Sequence, residues 1–223
     1  MSGIEVVRNA RARRTRLSVD PASGRVRLIL PRRAPVGPAL RWAEQHGAWI
    51  ATQQAKLPTP RPFEPGAILP IAGEDVRLEW AEGAIRTVRR SGDALVCGGP
   101  IEGFAPRIAR WLKAEAARVL AADTAHFAGK AGVSVEGVGV GDPRSRWGSC
   151  SSSGAIRYSW RLLLAPPFVR RSTVAHEVAH RVHMDHSPAF HALAAALDEG
   201  NPAEARHWLR THGASLHWFG RTS

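Results

Sequence analysis

An α+β fold is predicted by three observations. Strand-like alternation and helix-like spacing fall in separate blocks, ordered strands, helix, strands, helix, strand pair, helices, rather than in the regular exchange that builds a parallel sheet. The apolar share is 44% and the charged share 22% of 223 residues, enough to bury a core of ordinary globular kind. Five of the ten histidines lie between 176 and 191, on two predicted helices and the turn between them.

The elements follow in order. Thr15–Val19 and Arg25–Ile29 alternate polar and apolar positions around Asp20-Pro21-Ala22-Ser23-Gly24, which supplies turn chemistry, so a hairpin is predicted. Pro31 and Pro35 end it. Residues 38–56 read as a helix, with Leu40, Ala43, Gly47 and Ile50 on one stripe. Pro58, Pro60, Pro62 and Pro65 mark an extended connector. Short strands are predicted at Ile68–Ile71, Val76–Trp80, Ile85–Val88 and Ala94–Cys97. From Pro106 the period turns helical, through Ile108, Trp111, Leu112, Glu115 and Val119, toward Lys130. Val133–Val140 and Ile156–Leu164 read as strands, the latter closed by Pro166-Pro167. Helices are predicted from Phe168 to His183 and from Pro188 to Leu197.

Lys plus Arg is 31 against 19 Asp plus Glu, a net charge of +12, and only Lys56, Lys113 and Lys130 are lysines. Residues 1–70 carry 12 basic and 4 acidic residues, 71–140 carry 9 and 9, and 141–223 carry 10 and 6. The surplus therefore sits at the N-terminal end, where Arg8–Arg16 holds five arginines in nine residues. Such a segment suits a non-specific nucleic-acid or other anionic contact, or a solvated terminus. Two cysteines, Cys97 and Cys150, exclude a disulfide framework and a four-cysteine metal site. No apolar run reaches membrane-spanning length, and Met1–Arg16 lacks the apolar segment of a secretory signal. A soluble, cytoplasmic protein is expected, with no membrane partner.

The chemistry concentrates in His176-Glu177-Val178-Ala179-His180, an H-E-x-x-H sequence on a predicted helix. Residues four apart share a helix face, so both imidazoles reach one ion while Glu177 points at a water beside it. Neutral imidazoles suit Zn²⁺, and a catalytic zinc needs three protein ligands and an open position, with a nearby carboxylate as general base. His183, at i+7, lies in line with the pair and surrounds the ion poorly, being about 10.5 Å from His176 along a continuous helix. His186 is better placed. Ser187 is a good N-cap and Pro188 a favoured first helical residue, so a new helix starts there and His186 sits at the bend. Glu199, at the end of that next helix, is the alternative third ligand.

His176–His180 followed by His186-Ser187-Pro188-Ala189-Phe190, and Arg144-Ser145-Arg146-Trp147-Gly148-Ser149-Cys150-Ser151 upstream, resemble the YgjP-like zinc metallopeptidases, relatives of the SprT-like proteases. The resemblance is strong from 144 to 190 and looser toward both ends. It implies a zincin-like α+β catalytic part over residues 101–223, preceded by a β-rich N-terminal part over 1–100, the two compatible with one compact domain. It further implies zinc held by His176, His180 and His186, with Glu177 as catalytic base hydrolysing peptide or protein substrates. His191, after Phe190, and Arg181, after the second histidine, depart from the usual family residues.

Other residues carry alternatives. Cys150 reads as a fourth ligand or a small turn residue, and Tyr158 as an oxyanion donor or an ordinary strand position. Trp147-Gly148 reads as packing on the catalytic helix or as stacking on a substrate. Arg144 and Arg146 read as carboxylate or phosphate binders, partners of Asp142, or solvated side chains. Ile156–Leu164, if an edge strand, would pair with an extended substrate. Two rival functions stand beside a peptidase: a nucleic-acid-associated protease recruited through the basic N-terminal part, and a non-catalytic zinc-binding module.

Overall fold

The computed structural model describes residues 3–222. Its contacts separate two compact units, one ending at Thr59 and one beginning at Pro60. The division falls in the proline-rich connector rather than near residue 100. The strands between 68 and 97 share a core with the long helix that follows them, so they belong to the second unit.

In the first unit, β1 (Glu5–Arg8), β2 (Arg16–Val19) and β3 (Val26–Leu30) form a sheet in the order β1-β3-β2. The predicted hairpin is β2-β3. Asp20 accepts from the Ala22 N–H and the Ser23 hydroxyl, and Gly24 takes the left-handed conformation (φ 71°) that closes the turn. Strand β1, parallel to β3, has no local partner and four residues only, which hides it from a reading of short-range pattern. The predicted helix 38–56 is two helices, α1 (Val36–Gln45) and α2 (Gly47–Gln54). The break has a cause at His46. Its ring Nδ1 lies 2.8 Å from the Trp42 carbonyl, which the His46 N–H would meet in a continuous helix, and that N–H turns to Ala43 instead. Leu28, Leu30, Ala39 and Ala43 make the small core.

The second unit opens with β4 (Ile68–Ile71), β5 (Glu74–Trp80), β6 (Arg89–Ser91) and β7 (Ala94–Cys97), ordered β4-β5-β7-β6. The strand predicted at Ile85–Val88 lies three to four residues later. Residues 81–85 instead fold as a loop against Gly98, where an added Cβ would sit 2.2 Å from the Ala84 carbonyl. Helix α3 (Phe104–Ala131) is about 42 Å long at 1.5 Å per residue. It buries Phe104, Ile108, Leu112, Ala116, Leu120, Thr124 and Phe127 along one face, and Gly132 stops it with φ 63°.

A small second sheet carries the functional region: β8 (Gly137–Gly141), β10 (Ala155–Ser159) and β9 (Gly148–Cys150), in the order β8-β10-β9. Expectations change here, beginning with the strand predicted over Val133–Val140, which starts only at Gly137. The strand predicted over Ile156–Leu164 ends at Ser159, and Trp160–Leu164 form a buried 3-10 turn capped by the Ser159 side chain. Strand β10 is central, not an edge, because β8 pairs with it on one side and β9 on the other. Its backbone groups are spent on those ladders, so it cannot pair with a substrate. The three final helices are α4 (Pro167–Ala179), α5 (Pro188–Leu197) and α6 (Pro202–Leu216). Helix α6 announces itself by the cap chemistry seen at Ser187-Pro188: Asn201 accepts from the Ala203 and Glu204 N–H groups, and Pro202 follows.

Helix α4 is locked to α3 by charge. Asp123 accepts from Arg170 Nε at 2.7 Å and Arg171 Nη1 at 3.1 Å, with Asp123 and Arg170 both buried. Arg171 also meets Glu199, which His126 and Lys130 hold from α3. Replacing Asp123 by alanine leaves a buried guanidinium without its counter-charge, and should cost roughly 3–5 kcal/mol. Urea unfolding of Asp123→Ala checks this, and an unchanged midpoint would refute it.

Candidate metal centre

Helix α4 ends at Ala179, three to four residues earlier than its apolar pattern suggests. His180 is the C-cap, and the N–H groups of Val182 and His183 both turn back to the Ala179 carbonyl. This stop decides the geometry. The chain doubles back after His180, and the Ser187-Pro188 start of α5 returns His186 to the first two histidines. Ligand-capable atoms of His176, His180 and His186 all lie within 4.8 Å of one another. The Nε2 atoms of His176 and His186 are 3.4 Å apart. His180 Nδ1 lies 2.9 Å from the His183 carbonyl, which accepts a hydrogen bond from the Nδ1–H and so leaves Nε2 free for a ligand. His183 thus serves through its backbone, and its ring is outside the cluster.

Phe190 is the positioning residue that spacing alone does not reveal. Fully buried, it stacks on His180 with ring centroids 4.4 Å apart and meets His176 and His186 edge-on at 4.9 and 4.8 Å. One rigid ring therefore touches all three imidazoles. Its position four residues after His186, on the same face of the turn and new helix, is the signal in the sequence.

Burial, then the neighbouring His180 and His186 and the Arg206 guanidinium, hold the His176 pKa down to about 4. The imidazole is neutral at physiological pH, the state that ligates metals. Glu177 is buried, and burial lifts its carboxyl to about 7 against the opposing pull of Arg146. Its side chain lies over Gly148, where a Cβ would fall 2.5 Å from Oε1. Gly148→Ala should therefore displace the whole Glu177 side chain, since the added Cβ also falls 2.6 Å from its Cγ. A misplacement of about 1 Å costs about 100-fold in rate. Steady-state hydrolysis beside an unchanged metal content checks this; wild-type turnover would show that the Gly148 contact does not position Glu177.

The remaining candidates fall outside the cluster. Glu199 is tied to His126, Lys130 and Arg171, which hold its carboxyl down to about 2. Cys150 is half-buried on β9, its Sγ 3.5 Å from the Ser151 carbonyl, and burial raises its thiol. Tyr158 is wholly buried with its hydroxyl 3.1 Å from that of Thr124. Trp147 packs on α6, where its indole fills the space over Gly213 and tilts against His217, while the adjacent Gly148 lies against Glu177 of α4. Arg181 is tethered to the Ser134 carbonyl. Asp142 pairs with Arg161, not with Arg144 or Arg146.

The family model for the YgjP-like metallopeptidase domain matches residues 13–212. The chain belongs to the YgjP-like metallopeptidase family. No curated protein and no solved structure matches it. The YgjP-like domain spans both compact units, from β2 to the last turns of α6. Membership implies a metal ion and a hydrolase, and the three converging histidines are a group among the described residues that could hold one. No helix among the described residues is long and apolar enough to cross a membrane.

Proposed function

We propose that the protein is a zinc-dependent peptidase of zincin-like architecture, with His176, His180 and His186 as ligands and Glu177 as general base. The observation that carries this reading is the convergence of three imidazoles beside one buried carboxylate. The donor set fits zinc: with Zn–N distances of about 2.0–2.1 Å, tetrahedral ligands stand about 3.3 Å apart, close to the 3.4 Å between the His176 and His186 Nε2 atoms. No fourth His, Cys, Asp or Glu joins the cluster among the described residues. That favours an open catalytic site over a closed structural one.

Zinc bound there would supply Lewis-acid polarisation of a carbonyl and would acidify water. The chain's own part is proton handling and positioning. A Glu177 Oε atom takes a proton from the attacking water and returns it to the leaving amine. Phe190 and the His183 carbonyl hold the imidazoles in register. The edge strand beside α4 is β9. Ser149 pairs with Arg157, and the neighbouring bonds Ser159 N–H to Trp147 and Ser151 N–H to Ala155 also point toward β10. The alternation therefore directs the backbone groups of Gly148 and Cys150 outward, where an extended substrate can pair with them.

The test is cleavage of a peptide pool by the purified protein, with metal analysis alongside. Hydrolysis should vanish on chelation and return with zinc. Cleavage that survives complete removal of metal would overturn the reading.

A second reading concerns recruitment. Arg11, Arg13, Arg14 and Arg16 are exposed at the end of the first unit's β1-β2 connection, whereas Arg8 is occupied with the carbonyls of Pro31, Arg32 and Ala34. We propose these four as a non-specific contact for an anionic partner such as nucleic acid. Retention on DNA should fall steeply with salt and disappear when all four are alanine. Binding unaffected by those changes would refute the contact.

A further inference from the structure

A cavity of about 600 Å³ adjoins His176 and Glu177, bounded by α4, α5, α6 and the loop before β9. This is the size of a small-ligand or side-chain pocket. Its walls are mostly small, including Ala194, Ala195, Ala203 and Ala205, and two arginines, Arg146 and Arg206, reach it from separate elements. Arg161, Arg170, Arg171 and Arg181 are all tied to carboxylates or carbonyls. Arg146 and Arg206 are exposed and make no ion pair with a described residue.

The acidic groups lining the cavity, Asp198 and Glu177, are spent or withdrawn. Asp142 is engaged by Arg161. Asp198 borders the cavity, but its Oδ1 accepts from the Gly200 N–H at 2.9 Å and its Oδ2 is sealed from solvent. Glu177 belongs to the reaction. The charge that the cavity offers to a ligand is therefore guanidinium, which binds carboxylates through paired N–H donors.

We propose that Arg146 and Arg206 form a subsite for a substrate carboxylate, either an acidic side chain near the scissile bond or a free C-terminus. The proposal rests on the peptidase reading above and adds a substrate class to it. The subsite gives the enzyme a preference that backbone pairing along β9 alone would not supply.

The test uses the full-length, zinc-loaded protein and a proteome-derived peptide pool, with cleavage positions read by mass spectrometry. Cleavage should be enriched at least tenfold next to Asp or Glu, or at a fixed distance from the C-terminus. The best-cleaved sequence is then resynthesised with Gln or Asn for its acidic residue, and separately with an amidated C-terminus. Whichever change lowers kcat/KM tenfold or more identifies the source of the carboxylate. In the Arg146→Ala/Arg206→Ala protein that ratio should fall to about one. Equal rates on all three peptides, or a ratio unaltered by the two alanines, would overturn the subsite. So would an equal change in Arg144→Ala, since Arg144 does not line the cavity and reports general charge only.

A binding measurement separates this from failure of the peptidase reading. The same pool is passed over immobilised, zinc-loaded Glu177→Gln protein with and without the two alanine changes. If the wild-type protein cleaves nothing, the peptidase reading fails. Retention enriched in acidic peptides, and lost with Arg146 and Arg206, would still support the carboxylate site; retention without that bias would refute it.

Discussion

Glu177→Gln is expected to keep a full complement of metal and to lose hydrolysis by about 10²–10⁴-fold, the range contributed by a positioned general base. The reasoning is local. Glutamine has the shape of the carboxyl it replaces and can lie over Gly148 in the same way, so the buried site should not collapse. The three imidazoles touch one another and Phe190, and none needs Glu177 to hold its place. What disappears is an oxygen that can accept a proton. Metal analysis and peptide turnover on the same preparation decide it. Full activity with full metal would remove Glu177 from the mechanism, and loss of metal would make it structural.

His186→Ala should lower metal affinity by more than the about 10–100-fold typical of losing an outer-shell partner, because it removes a proposed ligand itself. The remaining pair, His176 and His180, lies on one helix end and cannot surround an ion. Glu199 cannot replace the lost imidazole, since His126, Lys130 and Arg171 already occupy its oxygens. The contrasting variant is Phe190→Ala. It leaves all three proposed ligands and removes the ring they rest on, so it should reduce stability by roughly 3–5 kcal/mol and weaken metal retention less than His186→Ala does. Competition with a zinc-sensitive dye ranks the two. Unchanged affinity in His186→Ala would displace His186 from the ligand set.

Much of the histidine cluster is legible in the sequence. The His176–His180 spacing needs only helical periodicity, and the choice of His186 over His183 followed from Ser187-Pro188, a cap that restarts the chain in a new direction. The same cap chemistry at Asn201-Pro202 marks α6, a helix that apolar periodicity did not reveal. What escaped is what depends on distant partners. Strand β1 exists because β3 lies beside it, β10 is central because β8 and β9 take both its sides, and α4 stops at Ala179 although its apolar pattern continues.

The amino-acid sequence by itself determined the residue types of the centre, the α+β class and the places where the chain must turn, because caps, prolines and short-period patterns act within a few residues. The tertiary structure alone decided that Phe190 supports all three imidazoles, that Gly148 must lack a side chain for Glu177 to lie where it does, and that β9 is the edge strand beside α4. It also brought Arg146 and Arg206 to one cavity from positions sixty residues apart. Each of these is a meeting of segments far apart in the chain, and such meetings are set by packing and strand pairing, which no local pattern encodes.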